Sequence, residues 1–315
     1  MSNPRKVASL PMTLIPVILD TDLGTDIDDS WALAMLLKSP EIDLKLVTTA
    51  TSDTRYRSAI AARLLECGCR GEVALAPGRD AGDYAYDRTI LPWVEGYELA
   101  AYPNLKPAAA EAIVELVMRS PQPVTLIAIA PLTTIGDALA LEPAIAPKVN
   151  FIGMQGAVFK AYDDQPGTCP EWNVVRDVAA ARRVFSAPWR SAAITPLDTC
   201  GNIRLAGTFC ARMQASRDPL CRAVYENWLD WLAFYRRNAP GALPDQPDRT
   251  TSVLFDTVAV FMAFSRQWLE FKTLNLVVTD DGFTRESAAG HPIEVAVDWT
   301  DRPAFLEFLA QRLAP

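Results

Sequence analysis

Five aspartates fall within the ten residues from Asp20 to Asp29 of this 315-residue chain: Asp20, Asp22, Asp26, Asp28 and Asp29. The apolar, β-rich run Leu14, Ile15, Val17, Ile18 and Leu19 precedes them and reads as a buried strand. Trp31 to Leu37 follows and reads as a buried helix. Carboxylates crowded at the carboxyl end of a strand repel one another, so the fold must supply compensation. A hard divalent cation is the simplest, because Ca²⁺ takes roughly 6–8 oxygen ligands and tolerates irregular geometry. Capping of the following helix uses one or two of these carboxylates and leaves the rest unexplained.

Strand-like and helix-like segments alternate around this stretch. Strands are expected at 44–50, 73–76, 124–130, 149–154, 191–195, 272–278 and 293–297. Helices are expected at 57–67, 108–118, 134–141, 178–185, 219–237, 252–264 and 302–313. The aromatic-rich stretch 80–106 and the turn-rich segment 238–249 read as loops. The pattern predicts an α/β fold with a mostly parallel, Rossmann-like sheet flanked by helices. Ligands of such sheets bind beyond the carboxyl ends of the strands, where the aspartates lie. One domain over residues 1–315 is expected, with 1–13 a flexible N-terminal segment.

Half of the residues are apolar and the net charge is −8, with no basic stripe, so neither a nucleic acid nor an anionic membrane is an expected partner. No stretch reaches the ~20 apolar residues of a membrane span, and Pro11 and Pro16 interrupt the only apolar run near the start. The six cysteines have neither zinc-ribbon nor redox spacing and read as free thiols of a cytoplasmic protein.

The segment DTDLGTDIDD (20–29) resembles the signature of the nucleoside hydrolases, the inosine–uridine preferring type, in a variant with two extra residues before the final Asp-Asp. The likeness continues through Thr48-Thr49 with Asp53, AIAPLTTIGDALALEP (128–143), GMQGAV (153–158), EWNVVRDVAAARRV (171–184) and LFDTVAV (254–260). The resemblance implies the nucleoside hydrolase fold and Ca²⁺-dependent cleavage of the N-glycosidic bond of a small-molecule ribonucleoside, releasing ribose and base. It implies Ca²⁺ held by Asp22, Asp29, the backbone carbonyl of Thr133 and Asp256, with Asp22 also the general base. Asp28, Asp53, Glu171 and Asn173 would hydrogen-bond the ribose, Met154 would line its pocket, and Asp20 would stand behind the ligands. Relatives form dimers and tetramers, so a homodimer or homotetramer is expected, as is a place in purine or pyrimidine salvage.

The chemistry agrees with these assignments. An oxocarbenium-like ribose calls for nearby negative charge and a poised water, and a metal with an adjacent carboxylate supplies both. Each carboxylate also has a plainer reading: Asp53 caps the next helix, and Glu171 and Asn173 are ordinary loop polars. Asp256, inside an apolar helix, is harder to explain so, because buried carboxylates are seldom left unpaired. The chain departs from the family pattern at the leaving group. Its single histidine, His291, sits in a turn-like GHP, and Phe255 stands where family members place a proton-donating His. Stacking of the base by Trp93, Phe255 and Trp228, or proton donation by Tyr225, Tyr235 or Arg236, is the expected substitute, with a purine or unusual base preferred. Two rivals remain: a ribose- or nucleoside-binding protein without turnover, and a phosphatase-like hydrolase with an aspartate nucleophile. The second needs Mg²⁺ and a downstream Lys near an acidic pair, and no convincing set is present.

Overall fold

The computed structural model describes residues 14–80 and 88–315. The expected flexible segment 1–13 and residues 81–87 of the expected 80–106 loop lie outside the described residues. The chain runs β1 (Ile15–Thr21), α1 (Asp28–Leu37), β2 (Ile42–Thr49), α2 (Thr54–Cys67) and β3 (Ala74–Pro77). Next come α3 (Leu91–Val94), α4 (Ala109–Arg119), β4 (Val124–Ala128), α5 (Thr133–Leu141) and β5 (Val149–Met154). Then α6 (Trp172–Val175), α7 (Val178–Phe185), β6 (Ser191–Thr195) and α8 (Leu197–Cys200) follow. The remainder is α9 (Thr208–Ala215), α10 (Pro219–Asn238), α11 (Asp256–Met262), β7 (Leu269–Val278), β8 (Thr284–Glu286), β9 (His291–Trp299) and α12 (Arg302–Leu313).

All the described strands join one nine-stranded sheet in the order β3-β2-β1-β4-β5-β6-β9-β7-β8. Every pairing from β3 to β9 is parallel, and β7 runs antiparallel to both β9 and β8. β1 shows why both faces must be covered: Val17 and Leu19 enter one apolar core while Ile18 enters the other. Helices α1, α2, α10, α11 and α12 fill the first core, and α4, α5 and α7 the second. Such two-sided burial is the usual condition of parallel strands. The chain lays β1, β2 and β3 outward in one direction, then returns to place β4 on the other side of β1. That reversal opens a crevice at the carboxyl ends of β1 and β4. No described helix is long and apolar enough to cross a membrane.

Two expected elements differ. Residues 252–254 are not helical: Leu254 N–H donates to the Ile203 carbonyl (2.7 Å) and Thr251 N–H to that of Leu205 (2.9 Å), so the chain is extended there. Asp256 is therefore the first residue of α11 rather than an interior one. Within 80–106, the described part carries α3 and a turn at Leu99–Ala101.

Candidate active site

The connection from β1 to α1 delivers the acidic side chains into the crevice. Thr48 on β2 donates to Asp20 Oδ1 (2.6 Å). The Thr21 hydroxyl and the Asp22 N–H (3.1 Å) both donate to Asp29 Oδ1, folding the first turn of α1 back onto β1. Asp26 accepts the N–H of Ile27 (2.7 Å), a contact to the adjacent residue, and α1 has no side-chain cap. α11 packs against α1 and adds Asp256 from a distant part of the chain. Asp28, Asp29 and Asp256 offer carboxylate oxygens within 4.8 Å of one another, and all three residues are buried.

Burial makes these acids weak. Desolvation lifts the Asp20 carboxyl to about 8 and that of Asp26 to about 6. Asp22 is also raised by burial, opposed by the positive charge of Arg57. Asp28, Asp29 and Asp256 are raised well above the usual carboxylate range, by burial first and then by the charge of a neighbouring aspartate: Asp26 for Asp28, Asp22 for Asp29 and Asp28 for Asp256. An all-oxygen, all-carboxylate donor set in such a place fits a hard divalent cation.

All of these carboxylates except Asp20 line a cavity of about 330 Å³. Asp22, Asp26, Asp28, Asp29 and Asp256 are joined there by Thr25, and none of the described lining residues is basic. Met154, Tyr162, Trp172, Tyr235 and Phe255 supply its apolar and aromatic wall. Glu171 and Asn173 complete the lining. Glu171 accepts the N–H groups of Asn173 (2.8 Å), Gly156 (2.9 Å) and Val174 (3.3 Å), yet burial still pushes its carboxyl up to about 7. Asn173 Nδ2 donates to the Met154 carbonyl (3.0 Å), tying α6 to the end of β5. Tyr162 meets Phe255 edge to face at 6.2 Å, and its hydroxyl accepts the Trp172 N–H (3.2 Å).

Tyr162 reaches the cavity on an excursion between β5 and α6. Asp198, fully buried in α8, accepts the N–H groups of Val158 (2.9 Å), Phe159 (2.7 Å) and Lys160 (3.2 Å). Gly167 N–H donates to the Phe159 carbonyl (2.9 Å) and Thr168 to that of Ala157, closing the excursion on itself.

The structure thus brings together Asp22, Asp28, Asp29, Met154, Glu171, Asn173, Tyr235, Phe255 and Asp256. Asp28, expected at the ribose, sits within the tight acidic triad, whereas Asp22 lies beside it. Thr133 opens α5 past the end of β4, and its hydroxyl donates to Asp177 (2.8 Å). Asp53 is not among the lining residues. It caps α2 by accepting the Tyr56 N–H (3.0 Å), and it pairs with Arg88 (2.6 Å). Trp93 is also drawn elsewhere. Arg63 lies over its ring at 4.3 Å, and its Nε1 donates to Glu226 (3.1 Å). Trp228 is buried edge-on to Trp31 at 6.1 Å, and His291 lies exposed at the start of β9. Stacking by Trp93 or Trp228 therefore does not suit this arrangement, because packing on α2 and α10 has already engaged those rings. Sequence reasoning missed Tyr162 and Trp172 as wall residues. Trp172 had a signal, being flanked by Glu171 and Asn173; Tyr162 had none.

The sequence pattern described as inosine-uridine preferring nucleoside hydrolase matches residues 17–307. The non-specific ribonucleoside hydrolase RihC of Escherichia coli (strain SE11) is 32% identical over 185 residues, spanning 54% of this chain and 58% of that enzyme. RihC of Escherichia fergusonii is 33% identical over 181 residues, with the same coverage. The matched segment thus spans less than two thirds of these relatives. Among solved structures, the plant nucleoside hydrolase PpNRh1 superposes with a TM-score of 0.77 at 22% identity, covering 96% of this chain and 99% of that one. The purine-preferring ribonucleoside hydrolase of Gardnerella vaginalis gives 0.74 at 19% identity, covering 95% and 98%. Those two likenesses establish the fold; with the match over residues 17–307, the chain belongs to the inosine–uridine preferring nucleoside hydrolase family.

Proposed function

We propose that this chain hydrolyses the N-glycosidic bond of ribonucleosides, in a reaction that depends on Ca²⁺. The observation that carries this reading is the mixed lining of one cavity, which combines buried carboxylates with aromatic rings. A ribonucleoside has the matching halves, a polyhydroxy sugar and a flat base.

Asp22, Asp29, Asp256 and the Thr133 carbonyl would hold the ion, with Asp28 close enough to join them. When bound, a divalent cation lowers the pKa of a water and orients it toward C1′. Asp22 is the carboxylate that would accept a proton from the attacking water. Asp28, Glu171 and Asn173 grip the ribose hydroxyls, and the surrounding negative charge stabilises the oxocarbenium-like sugar. A deoxyribose would leave these buried polar groups unpaired and is rejected. On the base side, Phe255 donates no proton, and desolvation makes the Tyr162 hydroxyl a weaker acid than a free phenol. Tyr162, Trp172, Tyr235 and Phe255 instead stack on the base and raise its basicity, so that solvent protonates it as it leaves. Large flat purines gain most from that wall. The purine-preferring ribonucleoside hydrolase of Gardnerella vaginalis, which shares the fold, is consistent with this preference.

The second reading is a nucleoside-binding homologue without turnover, favoured by the absence of any histidine from the cavity lining. A reducing-sugar assay across inosine, guanosine, adenosine, uridine, cytidine and nicotinamide riboside separates the two. Ribose release with purines ahead supports the proposal. Nucleoside binding with no sugar released from any of the six supports the second reading.

A further inference from the structure

Residues 22–27, between β1 and α1, have no regular structure, yet they present Asp22, Thr25 and Asp26 to the cavity. Mutual repulsion among the carboxylates would spread such a loop unless something held it. The molecule supplies one internal cation there. Arg57, in the first turns of α2, is 2% exposed, and it is the only buried Arg or Lys among the described residues. Burying a guanidinium is costly unless its donors are satisfied, and here all three nitrogens are. Nε donates to the Thr51 carbonyl (2.7 Å), Nη1 to the Leu23 carbonyl (2.9 Å) and Nη2 to the Thr25 hydroxyl (3.2 Å).

The last two contacts fall on either side of Gly24, the turning point of the loop. Gly24 adopts φ +109°, and a Cβ there would come within 2.6 Å of the Tyr56 ring. Its carbonyl accepts the Tyr56 hydroxyl (3.0 Å), so consecutive residues of α2 hold consecutive residues of the loop. Arg57 itself does not line the cavity, and it reaches the site through Leu23 and Thr25. Its planar fork reaches three acceptors in fixed directions, which the point charge of a lysine does not reproduce.

We infer that Arg57 is a positioning residue: its guanidinium fork clamps the acidic loop from behind and presets Asp22 and Thr25, so that the metal site is built before the ion arrives. The inference rests on the reading that this cluster holds a divalent cation. Removing the clamp makes the ion assemble the loop for itself and weakens its binding.

The test is calorimetric titration of Ca²⁺ into the full chain, wild type against Arg57→Lys and Arg57→Gln, with melting temperatures taken in chelator. Outer contacts of this kind are commonly worth ~10–100-fold in metal affinity. Arg57→Lys keeps the charge and loses the fork, so its Kd for Ca²⁺ rises about tenfold while nucleoside turnover falls mainly in kcat. Arg57→Gln weakens Ca²⁺ at least as much. A lower melting temperature with an unchanged Ca²⁺ Kd would make Arg57 an ordinary structural residue and overturn the inference. Tighter Ca²⁺ binding by Arg57→Gln would also overturn it, because the charge and not the fork would then dominate. If neither Arg57 variant folds, Thr25→Val removes one acceptor only; a weaker Ca²⁺ affinity supports the clamp, and an unchanged one contradicts it. A wild-type chain that binds no Ca²⁺ overturns the metal reading itself, a result distinct from any of these.

Discussion

Asp22 differs from its acidic neighbours. Asp28, Asp29 and Asp256 form the tight triad, whereas Asp22 lies beside it with Arg57 opposing the effect of burial on its carboxyl. That environment suits a group that must remain ionised to accept a proton. Asp22→Asn is therefore expected to fold as the wild type does and to lose at least ~10²-fold in kcat, the usual worth of a positioned base. Turnover within a few-fold of wild type would remove Asp22 from that role. Elsewhere in the cavity lining, Phe255 and Tyr162 meet edge to face, and the proposed function assigns their rings to the base. An aromatic contact is worth ~0.5–1.5 kcal/mol beyond its buried area, so Phe255→Ala should raise KM for inosine roughly fivefold. Inhibition by free ribose should barely change, and an equal loss for both ligands would mean that the wall shapes the whole cavity instead.

Strands and helices place these residues with unequal clarity in the sequence. The β1–α1 unit was legible because an unbroken apolar run, a cluster of like charges and a second apolar run leave few alternatives. Most long elements were legible by the same period. The start of α11 was not: residues 252–254 are as apolar as a helix interior, but backbone bonds to Ile203 and Leu205 pull them straight. Asp53 and Trp93 show a different limit. Both residue types serve in sites and in scaffolds, and here the helix cap at Tyr56 and the contacts with Arg63 and Glu226 engage them. Tyr162 was invisible because its position depends on Asp198, distant in sequence, gathering three backbone N–H groups. Asp198→Ala leaves those donors without their carboxylate, at a cost of about 1–3 kcal/mol for each one that stays unsatisfied. The variant should melt lower and show a raised KM for purine nucleosides, with Ca²⁺ affinity unchanged. An unaltered KM would disconnect the excursion from substrate binding.

The whole molecule concentrates buried negative charge at the point where its sheet reverses direction, and its stability must respond to that. Burial raises the carboxyls of Asp20 to about 8, Glu171 to about 7 and Asp26 to about 6. Unfolded carboxyls titrate near ~4, so between these values the folded chain binds more protons than the unfolded one. Stability then falls as pH rises through that window. In chelator the melting temperature should drop from pH 6 to pH 9, and saturating Ca²⁺ should flatten that slope by neutralising the cluster. A chelated protein that becomes more stable over the same range would contradict the account of the buried acids. The most direct measurement of the central claim is ribose release from inosine by one preparation, assayed in Ca²⁺, in excess chelator and after Ca²⁺ is restored. The account predicts release in the first and third conditions and none in the second. Equal release in chelator, or none in any condition while inosine still binds, would contradict it.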